Sequence, residues 1–358
     1  MTSLAPYMEW AKKRPAVTYD LAGSNLLSCT AEDLPGYRDA ADLNGSNPDG
    51  YPPLLEAIAR RYGVPVDCVA PGSGAGGANF AAIAALIRPG DEVLVERPAY
   101  DPLLGAVRLF GAGVRRFDRE FADGFALDPD RVRAALTART RLIVLTSPHN
   151  PSGALCDAAA LDEVGRAAER IGARVLVDEV YLDSVYHDRP TPAATRGGVF
   201  VSTNSLTKAY GLSGLRTGWV LAEPAVAEAV RRVRDVMDGV GSIPSDTVAL
   251  HAFRCIERLE SRARSLLEPN LALLAEFMAA RPELEWVRPA GGNVAFPRTR
   301  MADTRALADR LEREHDTAIV PGSFFEMPSH FRIAFSCARA TLEGGLVRLG
   351  RALDAGPA

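Results

Sequence analysis

The amino-acid sequence predicts an α/β protein with a mostly parallel sheet between helices, followed by a smaller α+β domain. Three observations carry this. From about residue 78 to 220, strand-like apolar runs alternate with helical stretches, the order that builds a parallel sheet covered by helices. The runs are near-continuous Val, Leu and Ile, as in strands buried on both faces. After about residue 245 the alternation gives way to a long helical stretch, and 358 residues exceed what one core usually holds, so about two domains are expected.

The first informative segment is "GSGAGG" at 72–77, whose glycines at 72, 74 and 77 fit the G-x-G-x-x-G spacing of a dinucleotide-binding turn. Such a turn needs a strand before it, a helix after it and an acidic residue about 20 positions on. A helix is expected in "ANFAAIAALIRPG", and Glu96 stands at a tolerable distance. The preceding "VPVDCVAP" is a poor strand: short, polar in the middle and closed by Pro71, which has no N–H for a ladder. A less specific expectation is that glycine-rich backbone opening a helix cradles some phosphate. The clearest strands follow as "EVLVE" (92–96), "RLIVLT" (141–146), "RVLVD" (174–178), "VFVST" (199–203) and "GWVLA" (218–222). Between them, "ALCDAAALDEVGRAAERIGA" repeats its apolar residues every three or four positions and reads as a helix. The stretch "DTVALHAFRCIERLESRARSLLEPNLALLAEFMAARPE" reads as a long helical connector with a kink or break at Pro269. Beyond it, "LEWVRPAGGNVAFP", "HDTAIVPGS" and "FRIAFS" are strand candidates and "MADTRALADRLERE" a helix.

The composition, 47% hydrophobic and 24% charged, is that of an ordinary globular protein. A net charge of -4 gives no reason to expect nucleic acid or an anionic membrane as partner. The opening "MTSLAPYMEWAKKRP" lacks the apolar centre of a signal peptide, and no stretch has the 18 or so apolar residues of a membrane span. A cytoplasmic location is the expectation. Cysteines 29, 68, 156, 255 and 337 form no C-x-x-C pair and read as reduced thiols, and the five histidines show no ligand spacing, so no metal site is expected.

In open α/β sheets ligands collect at the carboxyl ends of the strands. There, "RLIVLT" runs into "SPHNPSG" with Asn150 in a tight turn, and "RVLVD" ends on Asp178 with Tyr181 three residues later. "VFVST" is followed by "NSLTKAYGLSGLRTGW", carrying Ser205, Lys208 and Arg216 among small residues. A lone loop lysine is an ordinary surface residue. A lysine grouped with Asp178, Tyr181, Asn150 and Arg216 is a candidate reactive amine.

On "SPHNPSG", "VDEVY", "SLTKAYGLSGLRTGW" and "FRIAF", in this order and spacing, the chain resembles the class I/II aminotransferases among the fold-type I pyridoxal phosphate (PLP) enzymes. The resemblance extends over nearly the whole length. It implies a large domain with a mostly parallel, seven-stranded sheet and a smaller α+β domain. Residues 1–44 would form an N-terminal arm and part of the small domain, 45–250 the large PLP-binding domain, and 251–358 the small C-terminal domain. By the same resemblance Lys208 would form the internal aldimine, Asp178 would face the pyridine nitrogen, and Tyr181 with Asn150 would contact the 3′-oxygen. Ser205 and Arg216 would bind the phosphate beside the backbone of Gly74, Ala75 and Gly76. Arg332, with Asn150, would hold the substrate α-carboxylate, and Tyr100 in "ERPAYDP" resembles the aromatic that stacks on the coenzyme ring. The implied reaction moves an amino group from an α-amino acid to a 2-oxo acid by a ping-pong route, in a homodimer.

The residue types suit those roles. PLP is an electron sink that works best with its ring nitrogen protonated, so a buried anion opposite it is required, and Asp178 ends a fully apolar strand. A primary amine both forms an imine and carries a proton, which fits Lys208. Arginine offers a rigid fork of donors for phosphate at 216 and for carboxylate at 332. Three departures stand out. Gly76 lies where relatives often carry a hydroxyl or amide. Gly45 stands where many place a tyrosine that reaches the neighbouring subunit's phosphate. No histidine near Leu103 backs the aspartate. A PLP lyase or synthase of the same fold would share all these residues and remains the alternative.

Overall fold

The computed structural model describes residues 4–356. Residues 1–3 of the expected arm and 357–358 of the expected C-terminal domain lie outside the described residues. The chain opens with α1 (Pro6–Lys13) and β1 (Tyr19–Asp20), then α2 (Pro52–Tyr62), which starts on two prolines that fit a first helical turn. Next come β2 (Val69–Ser73), α3 (Gly74–Leu86), β3 (Glu92–Arg97), α4 (Asp101–Leu109), β4 (Gly113–Asp118) and α5 (Pro129–Ala135), the last capped by the Asp128 side chain. β5 (Thr140–Thr146), α6 (Ala158–Glu169), capped by Asp157, β6 (Arg174–Asp178), β7 (Phe200–Ser205) and β8 (Thr217–Leu221) complete one large sheet.

That sheet has seven strands in the order β2-β8-β7-β6-β5-β3-β4. β3 to β7 are mutually parallel, and β8 is antiparallel to both its neighbours. The five runs expected as strands are the five interior strands, whose central residues are buried without exception. The two edge strands carry weaker sequence signals. β4, "GVRRFD", alternates exposed and half-buried positions over its first four residues before the buried Phe117, and β2 contains Pro71 and Gly72, which only an edge strand accommodates. α3 and α7 (Pro224–Met237) cover the β2 end of one face, with Ala78, Ala81, Ile83, Val201, Val220 and Val230 in one core; α6 covers the other face through Leu161 and Val164.

The long helical stretch is two helices, α8 (Ile243–Arg254) and α9 (Ile256–Ala279), parted at Cys255. α9 runs on through Pro269. The carbonyl deprived of its donor belongs to Ser265, which is exposed and open to water, so the expected break does not occur there. Then follow β9 (Val294–Ala295), α10 (Arg305–His315), β10 (Thr317–Ala318), β11 (Val320–Pro321), β12 (Phe331–Ala334) and α11 (Arg339–Asp354). β11, β12 and β9 form a small antiparallel sheet, and β1 pairs in parallel with β10. Leu21 and Leu26 share a core with Leu267 and Leu274 of α9 and with Ile333 and Leu346, so the N-terminal segment packs with the C-terminal third. Among the described residues no helix is long and apolar enough to cross a membrane.

Candidate active site

Strand direction decides where the polar residues go. Because β8 reverses and β2 reverses again, the carboxyl ends of β2, β3, β5, β6 and β7 share one edge with the amino end of β8. Register brings them level: Ser73 lies opposite Thr217, Ser205 opposite Gly218, and Asp178 between Thr146 and Thr203. One cavity at this edge is lined by Ala75, Gly76, Tyr100, Asn150, Asp178, Tyr181 and Lys208, together with Asn79. Gly74 and Arg216 stand beside it, and Arg332 reaches it from β12. Ser205 is fully buried, its hydroxyl accepting the Thr207 N–H at 3.3 Å, and is not among the lining residues.

Asp178 is buried. One of its oxygens accepts from Asn79 Nδ2 at 2.8 Å and the other from the Val180 N–H at 3.1 Å. Burial pushes its carboxyl up to about 6, against the lowering influence of Asn79, Val180 and Lys208. Lys208 moves the other way. Burial, with Arg332 and Arg216 acting in the same sense and Asp178 opposing, brings its amine down to about 7. Its Nζ donates to Ser24 Oγ at 2.8 Å and Asn25 Oδ1 at 2.7 Å. An amine near 7 is partly neutral at physiological pH and therefore nucleophilic.

Arg332 is 1% exposed. Its Nη1 donates to Asn150 Oδ1 at 3.0 Å, and its Nη2 donates to Ala22 O at 3.0 Å and to the Tyr7 hydroxyl. The guanidinium lies over the rings of Tyr7 and Phe325, while its Nε has no hydrogen-bond partner among the described residues. Tyr181 is equally buried, with the Ser24 hydroxyl near its own; burial pushes this phenol up to about 12, with Arg332 and then Ser24 the opposing influences. Tyr100 meets Tyr7 edge to face at 6.0 Å and donates its hydroxyl to Met8 Sδ.

The turn at 74–76 is the start of α3. Gly74 has φ +66°, and a Cβ there would lie 2.4 Å from Arg216 Nη2; a Cβ on Gly218 would lie 2.4 Å from the Gly74 carbonyl carbon. Glycine at both positions lets the arginine and the helix N-terminus converge. Arg216 itself is left-handed, φ +52°, and its carbonyl accepts the Gly74 N–H at 2.7 Å. A Cβ on Gly76 would meet nothing within 4 Å among the described residues, so this side of the turn is open. The dinucleotide expectation fails on Glu96. Its carboxylate is 1% exposed, pairs with Arg119 at 2.9 Å and accepts from Thr146, so it is not free for ribose hydroxyls.

Several site residues carried weak sequence signals. Asn79 is the one polar side chain in α3, which marks it, but nothing in the sequence connects it to Asp178. Ser24, Asn25 and Tyr7 come from the N-terminal segment, far from the motifs. A buried chain also supports Ser205. Its N–H donates to Asn204 Oδ1 at 2.7 Å, Asn204 Nδ2 to Asp183 at 3.3 Å, and Asp183 also takes Tyr62 and Arg61.

The residues fit a PLP-sized group on three counts: a buried phenol in one cavity with the lysine, an open N-terminal turn facing an arginine, and a buried carboxylate whose two oxygens are aligned by donors. The comparisons agree. The model of the family "Aminotransferase class I and II" matches residues 19–349. Capreomycidine synthase of Streptomyces vinaceus is 36% identical over 267 residues, covering 74% of this chain and 68% of that protein. The aspartate/prephenate aminotransferase of Thermus thermophilus is 29% identical over 86% of this chain and 82% of its own. Among solved structures, a PLP-dependent aminotransferase from Streptococcus suis superposes with a TM-score of 0.92 at 30% identity, covering 97% of this chain and 96% of that one.

Proposed function

The chain belongs to the class I and II aminotransferases, PLP-dependent enzymes, and on that premise we propose that Lys208 is the residue that binds the coenzyme covalently and carries the proton in the reaction. The observation that carries this assignment is the placement of Lys208 in one cavity with Asp178, Tyr181 and Asn150, its amine brought down to about 7 by burial. When bound, PLP supplies the electron sink that stabilises negative charge at the substrate Cα. The protein does the rest. Asp178 would hold the coenzyme's ring nitrogen, and Tyr181 and Asn150 would be the donors for its 3′-oxygen. Arg216, the 74–76 backbone and Ser205 would hold the phosphate, the backbone through the N–H groups of Ala75 and Gly76 because that of Gly74 is bonded to Arg216 O, and Ser205 through its own hydroxyl hydrogen, which the bond from Thr207 leaves free. Tyr100 would pack on the ring face. Arg332, with Asn150, grips the α-carboxylate of amino acid and 2-oxo acid alike, which fixes the Cα–H bond for cleavage. Lys208 Nζ, freed when the substrate's amino group takes its place, would accept and hold the proton released from the substrate Cα.

The proposal includes the division into a coenzyme-binding unit at 45–250 and a small unit at 251–358 that takes in the arm of 1–44. A cytoplasmic homodimer is part of it; the support is apolar surface left exposed at Leu43, Val236 and Val240. Gly45 packs on Ile243 and offers no phenol, so phosphate binding rests on this chain's own donors. A second reading, a synthase or lyase acting on an amino acid, is favoured by one observation, that the relative at 36% identity is named a synthase.

Borohydride reduction of the yellow protein, followed by peptide mapping, tests the assignment. The label should lie on the peptide containing Lys208, and a label on any other lysine would sink it.

A further inference from the structure

α3 is built from glycine, alanine and apolar side chains, with Asn79 as its one polar interruption, 4% exposed. An apolar residue would fill this place at lower desolvation cost, since buried polar networks seldom stabilise a fold more than well-packed hydrophobes do. Asn79 is nevertheless fully engaged. Its Nδ2 donates to Asp178 at 2.8 Å and its Oδ1 accepts the Thr203 hydroxyl at 2.6 Å. Thr203 is placed by sheet register, directly opposite Asp178 across β6 and β7.

The chemistry of the three groups permits one arrangement of protons. The Thr203 hydroxyl has a single hydrogen, and by donating it to the amide oxygen it turns the NH2 end of Asn79 toward Asp178. One Asp178 oxygen thus faces an N–H of Asn79 and the other the N–H of Val180. A carboxylic acid proton on either oxygen in that direction would meet a donor head on, so the surroundings select the carboxylate. Three titratable groups act on Asp178 besides: Lys208 favours its ionised form, whereas Glu179 and Tyr181, buried close by, resist additional negative charge.

We propose that Asn79, oriented by Thr203, is a positioning residue that keeps Asp178 an ionised acceptor aimed at the coenzyme's ring nitrogen. The role rests on the function proposed above and takes the place of the histidine that the sequence lacks near Leu103. It is consistent with the carboxyl's raised value of about 6: without Asn79 the largest opposing influence on burial is gone and Asp178 would hold its proton to higher pH.

The test uses the full chain carrying Asn79→Leu and, separately, Thr203→Val. PLP affinity is read by fluorescence titration between pH 5 and 9, and thermal stability without coenzyme is read alongside. Asn79→Leu should weaken PLP binding by about tenfold to a hundredfold, the size of a lost hydrogen bond to a charged group. Its acid limb, where affinity falls as Asp178 protonates, should move to higher pH. Thr203→Val should act in the same direction and less, because the amide stays but is free to turn. Parental affinity with an unshifted acid limb in a folded variant overturns the inference, as does a loss confined to the stability of the coenzyme-free protein. Should Asn79→Leu fail to fold, Thr203→Val is judged by the same criteria. A parent protein that does not bind PLP overturns the proposed function instead, so the two failures are distinct.

Discussion

Asp178→Asn separates charge from shape at the base of the site. In the parent, the two carboxylate oxygens accept from Asn79 at 2.8 Å and Val180 at 3.1 Å. The amide keeps one acceptor, turns the other into a donor, and loses the negative charge that the proposed function sets opposite the ring nitrogen. Breaking a buried ion pair costs about 3–5 kcal/mol. If that loss falls on the transition state, turnover drops by about two to four powers of ten while coenzyme stays bound. For the coenzyme-free protein the sign reverses. Burial raises the folded carboxyl from the ordinary 3.8 to about 6, so below 3.8 both folded and unfolded states are protonated and nothing is lost. As pH rises from 3.8 to 6 the unfolded state releases its proton first, and folding stability falls by roughly 3 kcal/mol. The asparagine protein has no such loss. Its stability relative to the parent should therefore improve between pH 4 and 7 in urea denaturation. Near-normal turnover of Asp178→Asn, or a stability difference that ignores pH, would refute the reasoning.

Two further substitutions probe the ends of the substrate and coenzyme. Arg332→Lys replaces a fork bonded to Asn150, Tyr7 and Ala22 by a single ammonium, and KM for the amino acid and the 2-oxo acid should rise together by about tenfold to a hundredfold; unchanged values for either substrate contradict a shared carboxylate grip. Gly74→Ala puts a Cβ 2.4 Å from Arg216 Nη2 at φ +66°, so PLP affinity should fall roughly tenfold as the guanidinium is displaced, with inorganic phosphate competing less well; retained affinity places the phosphate elsewhere.

Interior strands announce themselves in sequence because both faces are buried, and "RLIVLT" or "RVLVD" admits little else. β4 and β2 escape because an edge strand tolerates "GVRRFD" or a proline, which removes the pattern that identifies it. The residues clustering at the strand ends were legible for a topological reason. The carboxyl edge is where a parallel sheet collects its loops, and Asn150, Asp178 and Lys208 each follow an unmistakable strand. Tyr7, Ser24 and Asn25 were not, since only the folding of the N-terminal segment back onto β10 and α11 brings them to Lys208 and Arg332. Asn79 was visible as an oddity in an alanine helix, but its partner depends on the register between β6 and β7, which no local pattern records. The helix break at Cys255 in place of Pro269 has the same origin: exposure of Ser265 to water, a tertiary fact, decides whether a proline interrupts a helix.

The most direct measurement is a single half-reaction. Protein loaded with PLP is mixed with one amino acid at a time and no acceptor, and the coenzyme spectrum and products are followed together. Transamination predicts one equivalent of 2-oxo acid per site, conversion to the amino form of the coenzyme, and then arrest until a 2-oxo acid is added. Continuous turnover without an acceptor, with the starting spectrum preserved, would contradict the account and assign the chain to the synthases and lyases of its fold.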